Sequence, residues 1–151
     1  MLLIVFIYNA TSYICTNIET KIDYVYNTAF VLDNETKVSK WLAQAAMKEG
    51  FSVGEVVYAF FNDEDLKLLN NKHLNHDYFT DVISFNDSKG TVLNGNIAIS
   101  IDRVRENAER YKATFNDELL RVMVHGLLHF MGYNDSSDKE TCHEIIAFIQ
   151  R

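Results

Sequence analysis

From Glu118 to Phe130 the chain reads Glu-Leu-Leu-Arg-Val-Met-Val-His-Gly-Leu-Leu-His-Phe. At helical spacing Leu119, Leu120, Val122, Met123, Leu127 and Leu128 leave such a helix apolar around much of its surface. A helix of that kind has no broad face to give to water, so the other elements must pack around it. Two histidines interrupt the apolar run. His125 and His129 stand four residues apart, which puts both imidazoles on one face, one turn apart. Gly132 ends the run in the manner of a helix C-cap, and Asp135 follows in the turn, six residues beyond His129. Two ring nitrogens and one carboxylate can thus surround a single metal ion. Neutral imidazole is a common zinc ligand, and a catalytic zinc commonly has three protein ligands with water in the fourth position. The candidate metal site is therefore His125, His129 and Asp135, with Asp138 as the reserve ligand. Catalysis is expected through His125 and His129, by way of the bound metal and its water. Gly126 occupies the place where the metalloprotease pattern carries a glutamate general base, which disfavours peptidase chemistry of that kind.

The remaining elements follow from periodicity. Ile22, Tyr24, Tyr26, Phe30 and Leu32 recur with strand-like spacing, and Asp33 or Asn34 can cap a helix through Val38, Trp41, Leu42, Ala45 and Ala46 that Gly50 ends. Glu55 to Phe61 is apolar at both alternating sets of positions, as in a central strand covered on both sides. Asn62 followed by three acidic residues starts a helix carrying Leu66 and Leu69. A polar loop from Asn70 to Tyr78 is expected next, then a strand at Asp81–Phe85, a turn at Asp87–Gly90 and a strand at Asn96–Ile101. Asp102 can cap a helix to about Lys112, and Thr114-Phe115-Asn116-Asp117 resembles a capping motif before the histidine helix. A last helix, about Asp138 to Gln150, would pack Cys142, Ile145, Ile146 and Ile149. The order β-α-β-α-β-β-α-α-α predicts one α+β domain, a small mixed β-sheet covered by helices, with a central metal-binding helix.

At 151 residues one domain is expected. The apolar run Leu2–Tyr8 is too short to span a bilayer and has no Lys or Arg before it, so residues 1–21 read as an N-terminal extension and 22–151 as the domain. Fourteen basic against twenty-one acidic residues give a net charge of −7. That balance argues against a generic nucleic-acid binder, though a local basic patch remains compatible with it. Cys15 and Cys142 lie far apart and form no Cys-x-x-Cys pair, so they read as reduced structural thiols of a cytosolic protein.

His-Gly-Leu-Leu-His-Phe-Met-Gly-Tyr-Asn-Asp, from His125, resembles the His-Gly-x-Leu-His-Leu-x-Gly-Tyr-Asp-His signature of the YbeY family. Other segments agree in order: Leu69-Asn70 with Asp77, Thr80-Asp81-Val82-Ile83-Ser84-Phe85, Gly95-Asn96-Ile97-Ala98-Ile99-Ser100, and Glu118 to Val122. The resemblance implies a zinc-dependent endoribonuclease with one zinc ion, held here by His125, His129 and Asp135. It also implies a cytoplasmic role in ribosomal RNA processing, at the small-subunit 3′ end, and in ribosome quality control, with ribosomal RNA and the small ribosomal subunit as partners and no membrane. Three positions depart from the pattern. Asp135 replaces a histidine, which adds a negative charge and should make the bound water less acidic. Leu74 falls where the family has an arginine associated with RNA cleavage, and leucine cannot stabilise developing negative charge. Phe79 replaces the proline before Thr80.

Leu74 therefore admits a second reading, a non-catalytic metal-binding ribosome assembly factor. Arg121, one turn before His125, is the first candidate for an RNA contact. Arg103, Arg105, Arg110 and Lys112 either track a phosphate backbone with it or form a solvated face paired with Glu106, Glu109, Asp117 and Glu118. His73 and His76 read as exposed loop histidines, and Asp81 and Ser84 as strand-start residues or as hydrogen-bonding supports for the ligands.

Overall fold

The strand Ser52–Phe61 (β2) is the axis of the sheet. A computed structural model describes residues 21–134, with Glu144 and Ala147 beyond them. Lys21–Tyr26 (β1) runs parallel to β2 on one side and Val92–Ser100 (β4) runs parallel on the other. Val82–Asn86 (β3) closes the far edge antiparallel to β4, so the order is β1-β2-β4-β3. Parallel neighbours require crossovers, and helix Glu35–Lys48 (α1) makes the one between β1 and β2. Helices Asp63–Leu74 (α2), Ile101–Tyr111 (α3) and Phe115–Phe130 (α4) complete the described elements. The fold is the expected α+β arrangement of a mixed sheet covered by helices, and the ninth element lies outside the described residues except for Glu144 and Ala147, both helical.

The two faces of the sheet are covered unequally. Val56, Tyr58, Phe60, Ile97 and Ile99 meet Leu42, Ala45 and Ala46 of α1 and Leu119, Val122, Met123 and Leu127 of α4 in one main core. On the other face Leu66 of α2 packs on Ile83 and Ala98, with Phe61, Leu69 and Phe85 beside them. Nine residues of α4 are buried, so the helix that cannot face water is indeed the central one. Burying a Leu or Met side chain stabilises by about 1.5–3 kcal/mol, which makes α4 the element around which the main core forms.

The local signals are largely realised. Asn62 and Thr114 cap α2 and α4 by accepting from the backbone of Asp65 and Asp117, at 2.8 and 3.1 Å. Three expectations are corrected. Helix α2 continues to Leu74 and replaces the first half of the expected loop, because Leu66 and Asn70 give it a buried face and Asn75 ends it in the left-handed conformation. Ser100, not Asp102, caps α3, accepting from Arg103 N at 3.1 Å. The Asp102 carboxylate instead accepts from Asp63 N, 2.9 Å away, at the start of α2. The first strand stops at Tyr26, and Phe30 and Leu32 belong to the loop that packs on the main core. The expected extension over residues 1–21 lies outside the described residues except for Lys21, as do both cysteines.

Candidate active site

Helix α4 reaches the site already fixed along its length. Gly126 sits where the helix runs closest to the sheet: a Cβ there would lie 2.7 Å from Ile97 Cγ2 and 3.2 Å from Val82 Cγ2. The residue after His125 therefore faces the sheet, and a longer side chain at that position has no path to the histidines. Ser84 Oγ donates to the Gly126 carbonyl at 3.0 Å, tying β3 to the same turn of helix. At the C-terminal end, Gly132 N donates to His129 O and Tyr133 N to Leu128 O, both at 3.2 Å. With Gly132 at φ +91° this is a Schellman turn, which reverses the chain just past the histidines. Tyr133 Oη then donates to Glu49 Oε2 at 2.7 Å, anchoring the turn to the end of α1.

The two histidines converge. Their Nε2 atoms are 3.2 Å apart and their ring centroids 4.6 Å, at an interplanar angle of 70°. Two nitrogens each about 2.0–2.1 Å from one tetrahedral zinc would stand roughly 3.3 Å apart. The pair thus has the donor type and the spacing of two ligands to one ion, and the last turn of a helix is a favourable place for a cation. Among the described residues no cluster of three or more His, Cys, Asp or Glu side chains gathers to hold a metal. Asp135 and Asp138 lie outside the described residues.

Both histidines open into a cavity of about 660 Å³ whose wall includes Leu74, His76, Tyr78, Asp81, Ser84 and Arg121. Arg121 is engaged there by its own helix and by the strand entry. Its Nε and Nη2 donate to the Glu118 carboxylate at 2.9 and 2.7 Å, and Asp81 Oδ2 is 3.5 Å from Nη2. Of the other basic residues, Arg103 bonds Asp63 and Glu106, and Arg105 lies 3.7 Å from Asp102. The Asp63 hydrogen bonds hold the Arg103 guanidinium above its ordinary pKa. His73 is exposed on α2, edge-on to Phe85, whereas exposed His76 belongs to the cavity wall. Asn70 and Tyr78 are among the wall residues that the sequence candidates did not include. Asn70 is 1% exposed and donates Nδ2 to the Tyr78 carbonyl at 3.2 Å. The signal for Asn70 is its spacing: with Leu66 and Leu69 it continues the inner face of a helix.

Comparison with known proteins agrees with this architecture and reaches most of the chain. A family model described as Endoribonuclease YbeY matches residues 20–147. A protein named Endoribonuclease YbeY from Flavobacterium psychrophilum is 45% identical over 119 residues, covering 79% of this chain and 85% of that one. One of the same name from Cytophaga hutchinsonii is 44% identical over 124 residues, covering 81% and 86%. The solution structure of a Thermotoga maritima protein superposes with a TM-score of 0.61 at 27% identity, over 85% of this chain and 87% of that one.

Proposed function

The chain belongs to the YbeY family of endoribonucleases, and we propose that it is a zinc-dependent hydrolase that cuts single-stranded RNA in ribosomal RNA maturation, at the small-subunit 3′ end, and in ribosome quality control in the cytoplasm. The observation that carries the metal-dependent reading is the His125–His129 pair, with Nε2 atoms 3.2 Å apart, in a cavity of about 660 Å³. His125, His129 and Asp135 would hold one zinc ion. When bound, zinc supplies Lewis-acid polarisation of a phosphoryl oxygen and lowers the pKa of water. The chain's own residues provide a fixed platform. Gly126 lets the helix seat against the sheet, Ser84 restrains that turn, and the turn at Gly132 ends the helix just after His129. The cavity beside the pair is the proposed seat of the RNA strand, and ribosomal RNA on the small subunit is the proposed substrate and partner. No helix among the described residues is long and apolar enough to cross a membrane.

Metal analysis of the purified chain, of His125→Ala and of Asp135→Ala tests the ligand set directly. One zinc per chain is expected, lost in both variants; stoichiometric zinc retained in both overturns the assignment. Cleavage of an unstructured RNA by the zinc-loaded chain, beside a family member under matched conditions, tests the activity.

One observation favours a second reading. Leu74 is exposed and lines the cavity at the position where the family pattern has an arginine, so that wall has no cation there. A ribosome assembly factor that keeps the fold and metal without cleaving would rescue ribosomal RNA maturation from a folded, cleavage-dead variant. Loss of rescue in every such variant removes this reading.

A further inference from the structure

The rim of the histidine cavity carries aromatic surface that phosphodiester hydrolysis does not use. Tyr78 keeps 55% of its surface in solvent. Its ring stacks on that of His76, with centroids 5.1 Å apart and planes 22° from parallel. A 3.0 Å hydrogen bond joins Tyr78 Oη and His76 Nδ1. Leu74, 43% exposed, stands in the same wall. Leu74, Tyr78 and Phe79 thus bring three exposed large hydrophobic side chains into one short stretch of chain.

This stretch is held from beneath while its rings stay outside. The buried Asn70 amide grips the Tyr78 carbonyl. Lys67 lies 3.5 Å from Asp77 and 4.7 Å over the Phe79 ring, with the Arg103 guanidinium 5.2 Å from that ring. An aromatic pair fixed in this way loses little conformational freedom when something stacks on it. The electrostatics favour bases over phosphates as the source of affinity. Arg121 in the cavity wall is engaged by Glu118 and Asp81, and the whole chain carries −7.

We infer that His76 and Tyr78 form a base-stacking subsite, on which an unpaired nucleobase of single-stranded RNA extends the two-ring stack and brings a neighbouring phosphodiester to the His125–His129 pair. Every base has a π-face, so such a subsite is tolerant of sequence. A duplex keeps its base faces stacked inside and offers none, so the subsite selects single strands. The inference rests on the reading of this cavity as an RNA cleft, and it deepens that reading by assigning affinity to bases.

Equilibrium binding of a fluorescently labelled, unstructured oligoribonucleotide to the full chain tests it, followed by anisotropy with the probe checked intact after each titration. Tyr78→Ala, Tyr78→Leu, Tyr78→Phe and Tyr78→Trp are compared, and thermal melts verify that each is folded. Ala and Leu are expected to lose about 5- to 100-fold in affinity, the range that one stacked base carries. Phe and Trp keep a ring face and are expected to bind close to the parent. A probe with one abasic residue moved along its length should weaken parent binding at one position, where Tyr78→Ala loses nothing more. Tyr78→Ala binding as tightly as the parent, Tyr78→Leu matching Tyr78→Phe, or duplex binding equal to single-strand binding each overturns the subsite. A parent chain that shows the expected pattern but cuts no RNA supports the subsite and removes the nuclease reading. A chain that cuts while Tyr78→Ala binds normally does the reverse.

Discussion

At Gly126 the helix and the sheet approach so closely that a methyl group meets Ile97 at 2.7 Å. Alanine is the better helix former by about 1 kcal/mol, but forcing an atom into a packed core costs about 1–3 kcal/mol. Gly126→Ala is therefore expected to destabilise by up to about 2 kcal/mol in chemical denaturation and to loosen the turn that carries His125. Unchanged or increased stability would show that Ile97 yields freely. Tyr26 makes a second residue-scale prediction. Burial, and then the hydrogen bond to Glu35 at 2.6 Å, push its hydroxyl up to about 12. Below pH 10 the proton is bound in the folded and unfolded chains alike, so the contribution is intact. Between 10 and 12 the unfolded chain releases it first, and stability falls. Denaturation midpoints should drop more steeply over that interval in the parent than in Tyr26→Phe. Tyr24 and Tyr58, raised chiefly by burial, are common to both chains.

At the scale of elements, α4 holds Arg121 against a carboxylate of its own preceding turn. Glu118 is 3% exposed and Arg121, 30% exposed, grips both of its oxygens. Removing one member of a buried pair leaves the other charge poorly solvated, at a cost of about 3–5 kcal/mol when both are fully buried. The partly wet guanidinium reduces that to about 2–3 kcal/mol. Arg121→Ala is expected to destabilise by this amount, and Arg121→Met with Glu118→Leu to recover most of it, as read by thermal and denaturant melts. Equal stability of the single and double variants would contradict the account. The element scale also separates legible from illegible sequence. The caps at Asn62 and Thr114 are short-range hydrogen bonds within one turn, and such signals are written in neighbouring residues. The continuation of α2 to Leu74 depends on what its inner face meets, Leu66 against Ile83 and Ala98 of the sheet, which lie well downstream in the chain.

For the whole molecule, the acidic balance and the cavity wall together shape how RNA is held. Each phosphate neutralised on a single strand contributes a salt slope of about −0.7. With affinity drawn from the His76–Tyr78 stack, the logarithm of affinity against the logarithm of salt should be no steeper than about −1.4, equivalent to two phosphate contacts. Titrations across a salt series check this, and a slope several-fold steeper would relocate binding to a basic surface elsewhere. Among the described residues, the parallel crossover through α1 and the unequal covering of the sheet leave one side of α4 open beside β3, which is where the cavity lies.

Sequence alone determined the quantities that depend on spacing and composition. The apolar circumference of α4 required a central helix, and the four-residue interval required His125 and His129 to share one face. Family membership was equally legible, because ordered short segments survive in the linear chain. Tertiary structure decided which groups meet across distance. It turned Gly126 into a packing contact with the sheet, brought Asp81 to Arg121, and anchored Tyr133 on Glu49. Those outcomes depend on the crossing of helix over sheet, and residues far apart in the chain share that geometry only after the core has closed.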